Sequence, residues 1–163
     1  ILFILLGLSI VTVSAFVYEQ ANQTVDQDIV EVANITLKNS DLGSIEEGET
    51  KTYTKTEVAS LGDAISITTE KANVYLHLNS DLDSLTDYLT YDIVVKFSQV
   101  VGSTYSVGDT ACTLSLANPD YSSINLDAAG TWMFDFVITT TANSVNADTP
   151  TTVTIIVEAE STA

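Results

Sequence analysis

Residues 129–140, AGTWMFDFVITT, decide the fold class. Trp132, Phe134, Phe136 and Ile138 occupy alternate positions. Successive side chains of a β-strand point to opposite faces, so this spacing predicts a strand with one buried, largely aromatic face.

The same period of two recurs on both sides of it. TYDIVVKF (90–97) places Ile93, Val95 and Phe97 together. TPTTVTIIVEAE (149–160) does so with Val153, Ile155, Val157 and Ala159, and Pro150 sits at its start, where a missing N–H is tolerated. In AISITTEKANVYLHL (64–78), two strands flank Glu70–Lys71, and the second turns Val74, Leu76 and Leu78 inward. GDTACTLSLANPD (108–120) reads as a strand closed by Asn118–Pro119. DIVEVANITL (28–37) alternates at Val30 and Val32, then changes phase at Ala33–Asn34 to Ile35 and Leu37, which predicts a bulge. A turn at SIEEGET with Gly48 leads into the Thr-rich strand TKTYTKTEV (50–58).

SDLDSLTDYL (80–89) departs from this period. Ser80 is placed to cap, Asp83 follows three residues later, and Leu82, Leu85 and Leu89 recur at helical spacing, which predicts one short helix. Eight or nine strands with a single helix give an all-β chain, an antiparallel β-sandwich.

The chain has 163 residues, 45% of them hydrophobic, enough for one domain with a substantial core over residues 28–163. Five Lys or Arg stand against 22 Asp or Glu, a net charge of −17. Such a surface repels nucleic acid and anionic lipid headgroups, and suits a solvated exterior. Cys112 is the only cysteine, so no intrachain disulfide forms. Ala111 and Thr113 fall on the opposite strand face, so Cys112 reads as a buried, inert thiol; an intermolecular bridge is the other reading.

Residues 1–18, ILFILLGLSIVTVSAFVY, contain no charge. A signal peptide fits the small residues Val13 and Ala15 before Phe16. A membrane span fits the length, since eighteen residues at about 1.5 Å each approach the roughly 30 Å of a hydrocarbon core. A third reading packs the segment into another subunit. From Ile10 onward Val11, Val13, Ala15 and Val17 share one strand face, as for a strand inserted into a neighbouring sheet. As a helix, the run is apolar almost all round, as in the central bundle of a type IV pilin filament. The inserted strand is preferred. Residues 19–27, EQANQTVDQ, form a polar linker that spans up to about 30 Å when extended, although Ala21, Val25, Ile29 and Val32 also keep helical spacing.

Few residues carry chemistry. His77 lies on the outward face of its strand with no second histidine. Asp81, Asp83 and Asp87 have a partial calcium-loop spacing but lack its central Gly and closing Glu, so they are a weak metal candidate. Glu46, Glu47 and Glu49 read as a solvated turn. Asn22 and Asn34 head N-glycosylation sequons, relevant on export. Nothing calls for a cofactor, and an enzyme finds no support.

The order of the pieces carries a resemblance. An apolar front end closes with SAFVYEQ; the strand VEVANITL follows, then the turn and strand LGSIEEGETKTYT, and then a sandwich with SDLDSLTDYL. This order resembles the TasA/camelysin-like biofilm-fibre subunits and their archaeal relatives, the bundling-pilus, thread and cannula proteins. The resemblance implies a jelly-roll-like sandwich lacking one strand, completed by the N-terminal segment of the next copy. It assigns the donor role to Val11, Val13, Ala15 and Val17, flanked by Ile10 and Phe16. The expected function is an extracellular, homopolymeric filament subunit for adhesion, bundling or biofilm formation, with the membrane met only before assembly. Its partners are copies of itself, with lateral bundling between filaments. A type IV pilin or archaellin-like subunit and a membrane-tethered surface binding domain are the alternatives.

Overall fold

The computed structural model describes residues 33–143 and 151–161. The chain is all-β, and nine strands are present among the described residues. They are β1 (Ala33–Leu37), β2 (Thr50–Tyr53), β3 (Ile65–Thr69), β4 (Val74–Ser80), β5 (Tyr88–Gln99), β6 (Thr110–Leu114), β7 (Tyr121–Leu126), β8 (Gly130–Ala142) and β9 (Ile155–Ser161).

β8 organises the larger sheet. Along one edge it pairs with β5, from Met133 to Ala142. Its other edge is shared: β3 pairs with Gly130–Phe134 and β2 with Ile138–Thr141. With β1 beyond β3 and β6 beyond β5, the order is β1-β3-β8-β5-β6, with β2 beside β8. The second sheet has three strands, β7-β4-β9. Every pairing is antiparallel.

The inward faces meet in one core, and the alternation in the sequence is borne out along it. Trp132 and Phe134 are fully buried, Val95 also, and Ile93 and Phe97 almost so. Val74, Leu76 and Leu78 oppose them from β4 with no exposure. Val153, Ile155, Val157 and Ala159 pack against this core as half-buried side chains. Phe97 stacks on Tyr105 with ring centroids 4.4 Å apart and lies 4.9 Å from Phe134. The indole N–H of Trp132 donates to the Ala128 carbonyl at 3.0 Å, so its one polar atom is satisfied in the core.

Three expectations are corrected. Residues 80–89 form no α-helix: a single 3₁₀ turn, Leu82–Ser84, precedes β5. Ser80 ends β4 and donates to the Pro119 carbonyl at 2.7 Å instead of capping. Leu82 is fully buried, while Leu89 is 60% exposed. One turn satisfies Leu82, and the β5–β8 ladder then claims the chain from Tyr88. The register of β1 on β3 runs from Ala33 to Leu37 without a shift, so these residues hold no bulge. Leu37 keeps the inward phase of Ile35, opposite Ile65, but at the edge of the sheet it stays 46% exposed. Finally, β7 is not among the expected strands. YSSINL contributes only Ile124 and Leu126 to the core, and its ladder with β4 is broken by a shift at Leu76/His77.

Candidate functional site

The two sheets differ in width, and the site follows from that difference. β9 pairs with β4 through Ile155–Ser161, and its far edge has no strand partner among the described residues. Beside it runs a groove of about 520 Å³. Its floor is the inner face of the larger sheet: Tyr88, Tyr91 and Ile93 from β5, Phe136 and Ile138 from β8, and Ile65 from β3. Ile155 and Val157 of β9 form one wall, and the β1–β2 loop from Leu37 to Gly43 forms the other.

Burial varies along β8 accordingly. Trp132 and Phe134, under the three-stranded sheet, have no exposure; Phe136 and Ile138, on the groove floor, keep 8% and 5%. Tyr88 meets Tyr91 edge-on, with centroids 5.1 Å apart. Burial, and then the neighbouring Tyr88 and Tyr53, push the Tyr91 hydroxyl up to about 12, so it stays protonated at physiological pH.

Local sequence holds the walls in place. The Asp41 carboxylate accepts from the Gly43 N–H at 2.9 Å, and Gly43 takes φ +69°, a left-handed turn that glycine adopts without strain. The Lys38 ammonium donates to the Gly62 carbonyl at 2.8 Å. On the opposite wall, the Asp81 carboxylate accepts from the Thr154 N–H at 2.8 Å and so anchors the chain just before β9.

The groove offers an apolar floor with tyrosine hydroxyls, a polar rim from Asn39, Ser40, Thr151 and Thr152, and a strand edge with no partner among the described residues. The residues with acid–base or metal potential lie elsewhere or are already engaged. His77 is on the outward face of β4, 3.4 Å from Glu160. Asp81, Asp83 and Asp87 are not gathered, and no group of three His, Cys, Asp or Glu is placed to hold a metal among the described residues. Glu49 folds back on its own turn, accepting from the Glu46 N–H at 3.0 Å and pairing with Lys51 at 3.1 Å. Cys112 is 4% exposed, and burial pushes its thiol up to about 12, which leaves it protonated and unreactive.

Asn34 is exposed on β1 with Thr36, on the outward face. Ile10, Val11, Val13, Ala15, Phe16, Val17 and Asn22 lie outside the described residues, as do the linker 19–27 and Pro150. Reasoning from sequence missed the groove floor at Tyr88 and Tyr91. The signal for Tyr91 was its phase with Ile93, Val95 and Phe97; nothing in that phase tells a covered position from an open one. No protein-family model matches the chain, and no curated protein matches it.

Proposed function

We propose that this protein is the structural subunit of an extracellular filament, assembled head-to-tail by strand donation. Residues 10–17 of one copy lie along β9 of the next and fill the groove. The observation that carries the reading is the β9 edge, unpartnered among the described residues, beside a groove of about 520 Å³ with an apolar floor and a polar rim that includes Asn39, Ser40, Thr151 and Thr152. An open edge presents unpaired N–H and C=O groups, which another strand satisfies.

The dimensions agree. Eight extended residues span about 26 Å, and the seven of β9 about 23 Å. Val11, Val13, Ala15 and Val17 face the groove floor in this arrangement, with Ile10 and Phe16 as flanks. Each Val or Phe side chain fully buried contributes about 1.5–3 kcal/mol. Each new backbone hydrogen bond adds about 0.5–1.5 kcal/mol. Together these offset an association cost of about 4–15 kcal/mol. The smaller sheet becomes four-stranded, giving the jelly-roll-like arrangement. Donor and acceptor are different surfaces, so the contact does not close on itself and generates a filament. The order of sequence pieces shared with the TasA/camelysin-like subunits and their archaeal relatives supports the same reading. The role needs no catalysis and no cofactor.

Two variants of the full chain test it. Val13→Asp spoils the donor and Ile155→Asp spoils the acceptor. Each alone is expected to give folded particles that do not polymerise, by circular dichroism and electron microscopy. Mixed one to one, they are expected to pair into a heterodimer and grow no further, because one good donor meets one good acceptor. Filaments from Val13→Asp alone, or from the mixture, would sink the proposal.

A further inference from the structure

One end of the groove floor is built by an irregularity in β5. Tyr88 pairs with Ala142 and Thr90 with Thr141, so Leu89 is one residue too many, a bulge. In a regular strand, residues three apart point to opposite faces. The extra residue brings Tyr88 and Tyr91 to the same face, where both line the groove with their rings edge-on at 5.1 Å. Thr90, on the outer face, donates to the Thr141 hydroxyl at 2.8 Å and holds the phase beyond the bulge. Leu89 is itself exposed, so burial of its own side chain does not account for the bulge. The floor therefore changes along its length: Phe136, Ile138 and Ile93 give way to two tyrosines. Tyr91 is 7% exposed, and its hydroxyl has no hydrogen-bond partner among the described residues. A buried tyrosine hydroxyl ordinarily has one, and an occupant of the groove can supply it.

We infer that this tyrosine pair sets the register of the donated strand by receiving Ala15, and that the Tyr91 hydroxyl donates to the donor's main chain there. The inference rests on strand donation and specifies it. Val11, Val13, Ala15 and Val17 share the donor's inward face, and Ala15 is the smallest of them. Donor and floor repeat with the same period, since Phe136, Ile138 and Thr140 are alternate positions of β8 and Thr140 is opposite Tyr91. Ala15 over Tyr91 puts Val13 over Ile138 and Val11 over Phe136, with the donor running in the direction of β8. The β9 edge offers the same kind of hydrogen bonds in every register shifted by two residues, so the choice falls to the floor. Any such shift sets a valine on the tyrosines, where the extra methyl groups overpack. A side chain that ends at Cβ also leaves the Tyr91 hydroxyl room to reach a main-chain carbonyl, which a valine would cover.

The test uses the full chain carrying Val13→Asp, whose own donor is spoiled, and synthetic peptides of residues 10–17 titrated by calorimetry. The parent peptide is expected to bind this chain, and its Ala15→Leu form about ten-fold more weakly. On the chain that also carries Tyr88→Val the two peptides should bind about equally, because the shortened side chain makes room for the leucine. Tyr88→Leu takes its place if Tyr88→Val does not fold by circular dichroism. A residue that only supports the fold would move both affinities together. Tyr91→Phe, which keeps the ring, should weaken the parent peptide several-fold. A Val11→Leu peptide should gain nothing from Tyr88→Val. The inference is overturned, with strand donation left standing, by any of three results while the parent peptide binds. These are an Ala15→Leu peptide that matches the parent on the first chain, equal rescue of the Val11→Leu and Ala15→Leu peptides by Tyr88→Val, and an affinity unchanged by Tyr91→Phe. If no peptide binds the folded chains, strand donation itself fails and the register goes with it.

Discussion

Cys112 and Gly130 show how single positions are held. Cys112 is enclosed on β6, and burial alone raises its thiol to about 12. The native protein is therefore expected to ignore a thiol reagent at pH 8 and to react once per chain after unfolding. Full labelling of the folded protein would contradict this. Gly130 begins β8 with φ +139°, and a Cβ there would lie 2.9 Å from Cγ1 of Val101. Gly130→Ala meets both backbone strain and a side-chain clash, and an expected loss of about 1–3 kcal/mol is readable by urea denaturation. Gly48 is also at positive φ, but a Cβ added there would meet nothing within 4 Å. Its alanine variant carries the backbone strain alone and should lose less.

Between elements, one polar cluster ties the β2–β3 connection to the outer side of β8. Asp135 accepts from the Asp63 N–H at 2.8 Å and pairs with Lys55 at 2.9 Å. Burial pushes the Asp135 carboxyl up, but the Lys55 ammonium and the Asp63 N–H together outweigh it and hold the group below its ordinary 3.8. A carboxyl lowered in the folded state contributes stability above its unfolded value and loses it as pH falls through the folded one. The stability difference between the parent and Asp135→Asn should be full near neutrality and shrink below about pH 4. A difference that stays constant down to pH 2 would show that the ion pair is not its source. At the opposite end, the Asp81 carboxylate bonded to the Thr154 N–H sets where β9 begins. Asp81→Ala is expected to cost about 0.5–1.5 kcal/mol and to raise hydrogen exchange at Thr154 before the rest of β9.

Across the molecule, a sheet five strands wide faces one of three. The excess width leaves part of an apolar floor beside an edge with no partner among the described residues, and the filament reading is built on that mismatch. It carries its own stability prediction. A synthetic peptide of residues 10–17 added to the Val13→Asp chain should raise the melting temperature as its concentration rises, because it binds the folded groove and not the unfolded chain. The same peptide with Val13→Asp should have no effect. A melting temperature unmoved by the first peptide would count against the groove as a strand acceptor.

Periodicity was enough to say which side of each strong strand is buried. A period of two in residues 129–140, 90–97 and 74–78 leaves no other arrangement for Trp132, Phe97 or Leu76, and all are in the core. The turn at Gly48 and the buried state of Cys112 were legible in the same way. What each buried side faces became visible only once the strands were assembled. Ile65–Thr69 and Val74–Ser80 are neighbours in sequence with equally apolar inner faces, yet they belong to opposite sheets. The short helix expected at residues 80–89 gave way to a 3₁₀ turn because ladder bonds to β8 outweigh a local leucine spacing. β7 was illegible because two apolar residues around an irregular backbone make no pattern on their own. Alternation is a property of one strand, whereas a groove is a relation among several. Its position and size are set by sheet width and edge pairing, which no single stretch of residues encodes.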